Sequence, residues 1–155
     1  MQVTDIFRVL GEEGFRQVLG GISIGKLKTY KLYEPLKTWA HLPKLNVQGL
    51  RKATPRFWER IQGGDQDLAA DLAQAILVCN LDMIIDILDF LGIQHHDGFF
   101  DKDLDASDIL KDDWREKAYE HFKGKYPEAL LLFYLNHLAW EVAKAEELFT
   151  PAGAD

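Results

Sequence analysis

Along most of the chain the hydrophobic positions recur every three to four residues, which is the period of an amphipathic helix. Near the N-terminus Ile6, Phe7, Leu10, Phe15, Val18 and Leu19 follow this spacing, in a stretch that Gly11 and Gly14 weaken. Residues 26–60 are less regular. Tyr30, Tyr33, Leu36 and Trp39 predict a short helix with Pro35 in its first turn and an end at Pro43. Asn46 is placed to cap another short helix through Arg51. Thr54-Pro55 then reads as an N-cap and first-position proline, opening a turn or two that carries Phe57, Trp58 and Ile61.

Three stronger elements follow. Asp65 to Leu91 reads as one long helix, capped by Asp65 or Asp67 and ended by Gly92. On a helical projection Asp71, Gln74, Val78, Asp82, Asp86 and Asp89 share a polar stripe, and the apolar remainder predicts a core helix. Ser107 to Lys123 predicts a second amphipathic helix with Ile109, Leu110, Trp114, Ala118, Tyr119 and Phe122 inward. Gly124 and Pro127 separate it from the most hydrophobic segment, 127–149, whose polar edge is His137, Glu141 and Lys144. Asn80 and Asn136 each fall on the apolar side of a core helix. They are the expected buried polar residues, and a shared contact between them would satisfy both amides.

Alternating strand-type runs are scarce, the best being Ile22 to Leu27, and no repeat or low-complexity tract is present. The predicted class is therefore all-α, a multi-helix bundle with core helices near 65–91 and 127–149 and a less regular helical N-terminal region. The 155-residue length, 47% hydrophobic and 28% charged, suits one ordinary globular domain. Cys79 is the single cysteine, which excludes an intrachain disulfide framework. The first residues carry acids before any long apolar run, and the longest uncharged apolar stretch, 72–81, is about half a bilayer span. A cytoplasmic location away from the membrane is expected.

Charge changes this picture more than composition does. The formal net charge is −7, yet residues 1–60 hold 11 Lys/Arg against 5 acids, while residues 61–155 hold 7 against 20. The break falls near Gly63-Gly64, dividing a basic, aromatic-containing region (1–62) from an acidic helical body (65–150). The two are expected to pack as one structural domain, their opposite fields being mutually favourable.

Within the basic region Lys28, Tyr30, Lys31, Tyr33, Lys37 and Trp39 interleave cations with rings. That pattern suits a protein partner, or a second copy of the chain, and is the leading functional expectation: a small binding or regulatory module. The same residue types serve phosphate contacts and base stacking, a third reading that the overall pI of about 5.2 opposes.

The alternative is a metal-dependent, hydrolase-like site on the 92–105 loop. There His95, His96, Asp97 and Asp101 offer the nitrogen and oxygen donors that a divalent zinc, iron or manganese accepts. Other motifs are weaker. Gly20 to Lys26 matches the Gly-x4-Gly-Lys of a phosphate loop, but Leu27 stands where Ser or Thr should follow. Asp101, Asp103, Asp105 and Asp112 have calcium-loop spacing, but Ala106 replaces the turn glycine. Cys79 reads as an inert core thiol, and His137 with Glu141 as an exposed ion pair. No catalytic residue and no organic cofactor emerges.

Overall fold

A computed structural model of the chain describes residues 2–20, 47–101 and 103–151. Among these the secondary structure is α-helical, with a single isolated β-bridge. The protein is all-α. It divides into two compact units, Gln2–Cys79 and Asn80–Asp155. The Gly63-Gly64 run thus lies inside the first unit, as a turn between two of its helices. The predicted short helix over 30–39, the phosphate-loop-like run after Gly20 and the strand-like run 22–27 lie outside the described residues.

The first unit packs three helices: α1 (Val3–Gly20), α2 (Val47–Gln62) and α3 (Gln66–Val78). Their core is Ile6, Phe7, Phe15, Leu19, Phe57, Ile61, Leu68, Leu72 and Ile76, all essentially without solvent contact. Phe15 joins the layers, meeting Phe7 edge-on at 5.6 Å and Trp58 at 5.3 Å between ring centroids. Gly11 interrupts α1 with φ 71° and ψ 171°, a backbone region that only glycine enters readily. The break lets Phe7 and Phe15 both turn inward from helical pieces of different direction.

α2 differs from the expected pair of short helices. It runs unbroken through Pro55, and Thr54 is buried within it instead of opening a new helix. Pro55 forfeits one backbone hydrogen bond, which the burial of Phe57, Trp58 and Ile61 offsets. Asp65 caps α3 by accepting the Leu68 N–H at 3.1 Å, and its second oxygen receives the Arg60 guanidinium. These bonds hold the Asp65 carboxyl below the usual carboxylate range, the Leu68 N–H first and Arg60 second.

The expected long helix over 65–91 is two helices, α3 and α4 (Leu81–Leu91), separated at Cys79-Asn80. Asn80 leaves helical geometry with φ −128° and ψ 37°. Neither Gly nor Pro announces the break, and the apolar phase continues across it, so the sequence pattern does not reveal it. Gly92 ends α4 in the left-handed conformation, as its position after Leu91 predicts.

The second unit adds α5 (Trp114–Phe122) and α6 (Glu128–Ala143). α5 begins seven residues later than expected. Ser107 lies in a turn instead, where Asp105 accepts both its N–H and its hydroxyl, a local bond that competes with helix formation. The buried Ala106 N–H is pinned to the Val142 carbonyl at 2.8 Å, while Ile109, expected inward, is 52% exposed. α6 is buried on nearly every side and stops at Lys144, which adopts φ 51°. The chain then continues beside α6 under the control of Asn136. That side chain accepts the Phe149 N–H at 2.7 Å and Arg115 Nη1 at 3.0 Å, and donates to the Phe149 and Leu132 carbonyls. All four hydrogen-bonding positions of the amide are filled. Asn136 is buried, as expected, but its partners are Arg115, Leu132 and Phe149 and not Asn80, which is half-buried.

Candidate functional site

The loop after α4 is built as a tight hairpin. Ile93 is buried and anchors its start, and His96 and Phe99 exchange backbone hydrogen bonds at 2.7 and 3.0 Å around Asp97-Gly98. Both turn residues have positive φ, 53° and 92°, the requirement of a two-residue hairpin that Asp-Gly sequences favour. Gly98 also packs closely: a Cβ there would lie 3.3 Å from Leu81 Cδ2 and 3.5 Å from side-chain carbons of Ile84 and Ile85.

His95 pins this hairpin to α4. Its Nε2 lies 2.7 Å from Asp89 Oδ1, and its Nδ1 accepts the Gly98 N–H at 3.0 Å. An acceptor at Nδ1 places the proton of the neutral ring on Nε2, facing the carboxylate. Both ring nitrogens are therefore engaged. His96 and Asp97 point to solvent, 3.7 Å apart, with side chains 95% and 84% exposed. Asp101 is exposed and accepts the Asp103 N–H at 3.1 Å. Asp89, His95, His96, Phe99 and Asp101 all line an open cleft of about 710 Å³. The four predicted metal donors thus occur in one neighbourhood, but among the described residues no three His, Cys, Asp or Glu side chains converge as a metal-holding group.

Two of the four calcium-like aspartates are engaged locally. Asp101 closes its own turn, and Asp105 is held below the ordinary carboxylate range by the Ser107 hydroxyl and then its N–H. Cys79 is buried. Lys28, Tyr30, Lys31, Tyr33, Lys37 and Trp39, the expected partner-binding set, lie outside the described residues.

Sequence reasoning misplaced one group and missed another. His137 is buried, not on a wet edge, and burial pushes its pKa down to about 4. Its Nδ1 stands 3.1 Å from Glu141 Oε1 but is not aligned for a hydrogen bond. Burial raises the Glu141 carboxyl as well, so the environment opposes charge on both partners. Tyr134, one turn earlier on the same face, has a buried hydroxyl with no hydrogen-bond partner, and burial raises its pKa strongly. The i, i+3, i+7 spacing of Tyr134, His137 and Glu141 is readable from sequence, but their burial is not.

The missed group is on α4 and α5. Phe90 is 43% exposed and stacks on His121, with ring centroids 4.5 Å apart and planes 23° from parallel. It belongs to the apolar remainder of 65–91 that predicted a core face, and the partner ring comes from a helix about thirty residues away, so no local pattern signals the stack. Comparison with protein-family models, with curated proteins and with solved structures finds no match to this chain.

Proposed function

We propose that the protein is a small helical binding or regulatory module that engages a protein partner through the basic aromatic stretch 28–39. The observation that carries this reading is the alternation of Lys28, Lys31 and Lys37 with Tyr30, Tyr33 and Trp39 in an otherwise acidic chain. Rings supply contact area at low entropic cost, and the cations set orientation and encounter rate. The second unit supports a contact role too, because Phe90, Phe99 and Ile109 leave 43–57% of their surface open. A photo-crosslinking residue at position 39 of the full chain tests the reading. Protein adducts that disappear with Lys28→Glu/Lys31→Glu are expected. Adducts to nucleic acid, with affinity that falls steeply with salt, would establish the phosphate-binding alternative in its place.

A second reading is a divalent metal on the 92–105 loop, favoured by the cleft wall that gathers Asp89, His95, His96 and Asp101. It requires His95 to exchange one of its two hydrogen bonds for the ion. Elemental analysis of the untagged protein beside His95→Ala/His96→Ala decides it: stoichiometric metal lost in the variant is the expected result, and metal unchanged by the substitutions removes this loop as the site.

A further inference from the structure

The unit Asn80–Asp155 holds 17 acids against 7 bases. On it the Phe90–His121 stack is braced from the side by Phe122, edge-on to Phe90 at 5.4 Å. Phe90 and His121 line an open cleft of about 590 Å³ together with Asp113, Glu116, Lys117 and Glu120. Two of the three carboxylates have lysine neighbours, Asp113 with Lys117 at 3.4 Å and Glu120 with Lys123 at 2.8 Å, and Glu116 is exposed. The outer face of a stacked ring beside carboxylates suits a specific chemistry. An ammonium group rests over the outer ring face, the carboxylates balance its charge, and an incoming aromatic side chain packs beside it.

The chain carries a segment of that chemistry. Residues 21–46 contain five lysines (Lys26, Lys28, Lys31, Lys37, Lys44) against one acid, Glu34, with Tyr30, Tyr33 and Trp39 interleaved. We propose that the Phe90–His121 cleft of one copy receives the Lys28–Trp39 stretch of a second copy. This rests on the reading of that stretch as the partner-engaging surface and identifies the partner as the chain itself. Charge complementarity carries the assignment: a stretch with three lysines against one acid meets a cleft lined by three acids and one lysine, on a unit with a balance of −10. The contact joins two different surfaces, head to tail, so each copy offers one cleft and one stretch.

Sedimentation of the full chain at low and high salt tests this, using Phe90→Ala, Glu116→Lys and Lys28→Glu/Lys31→Glu. Concentration-dependent association at low salt is expected. Each variant should weaken it about tenfold, the usual effect of losing a central aromatic or charge contact. Glu116→Lys lies on an exposed position, so it keeps the test valid if Phe90→Ala perturbs folding. The decisive arm mixes the Glu116→Lys chain with the Lys28→Glu/Lys31→Glu chain. An intact stretch then meets an intact cleft, and 1:1 pairing of wild-type strength should return. A wild-type chain that stays monomeric overturns the proposal, as does association indifferent to the cleft variants. A monomer whose Phe90 signals shift with Lys28→Glu/Lys31→Glu also overturns it, by showing docking within one chain. If the wild type is monomeric while position 39 still crosslinks to a different protein, the cleft is removed as receptor and the reading of the stretch stands.

Discussion

His137 occupies the third turn of a helix that is buried on nearly all sides, and its imidazole stays neutral far below the pH at which an exposed histidine would charge. The unfolded chain titrates this group near 6.5 and the folded protein near 4. Between those values the unfolded state binds more protons, so stability falls as pH falls. The stability is fully present above about pH 6.5 and is lost progressively down to about pH 4, amounting to about 3 kcal/mol. Glu141 acts in the opposite sense, because its raised carboxyl pKa makes ionisation a cost at neutral pH that acid relieves. Urea denaturation at pH 7, 5.5 and 4.5 should show His137→Gln losing the acid-dependent decline that the native protein has. Equal pH slopes in the two proteins would place His137 in solvent. The spacing of His137 and Glu141 was legible in the sequence. Their environment was not, because a helix enclosed on nearly every side has no polar edge to contrast with its apolar one.

At the scale of elements, the same contrast explains which boundaries could be read. Asp65 and Gly92 mark real ends because a capping carboxylate and a left-handed glycine act within their own turn. The early end of α6 and the late start of α5 involve contacts made across the chain, Asn136 with Phe149 and Arg115, and Ala106 with Val142 beside the local Asp105–Ser107 turn, and the Cys79-Asn80 break carries no Gly or Pro to mark it. Pro55 errs in the other direction, since it looked like a start and lies inside α2. Gly11 gives a test of this level. Read as an exposed helical glycine, its replacement by alanine should stabilise by about 1 kcal/mol. With φ at +71° the same change forces a side chain into a backbone region that L-residues avoid, and Gly11→Ala should instead destabilise by about 1–3 kcal/mol. No neighbouring atom lies near the added Cβ, so a loss of stability in chemical denaturation reports backbone strain alone. A gain would mean that α1 is a straight helix.

At the scale of the molecule, the net charge of −7 averages two opposite regions, and the boundary of that charge division is not the boundary of packing. Charge changes sign near Gly63-Gly64, whereas the compact units divide at Cys79-Asn80. α3, with three aspartates in its neighbourhood, packs with α1 and α2 through the buried Leu68, Leu72 and Ile76, so this unit extends past the point at which the charge changes sign. Salt is the lever that separates the two effects. Screening leaves buried apolar contacts intact and weakens the attraction between exposed charges, so high ionic strength should dissociate the proposed pairs without unfolding either unit. Circular dichroism recorded alongside sedimentation checks this. A loss of helix in parallel with dissociation would tie association to folding instead.

By itself the sequence determined the all-α class, the identity of the core-forming segments, the caps at Asp65 and Gly92, and the separation of basic aromatic from acidic residues. The first three follow from periodicity or from interactions within one turn of helix, and the last from the order of charges along the chain. Only the tertiary structure decided that Asn136 clamps residue 149, that His95 turns both nitrogens inward to Asp89 and Gly98, that His137 is enclosed, and that Phe90 finds His121. These are contacts that side chains make with groups beyond their own helical turn, backbone included, or burial imposed by the surrounding elements. A pattern of 3.6 residues per turn says which face of a helix is apolar, but not what that face will meet.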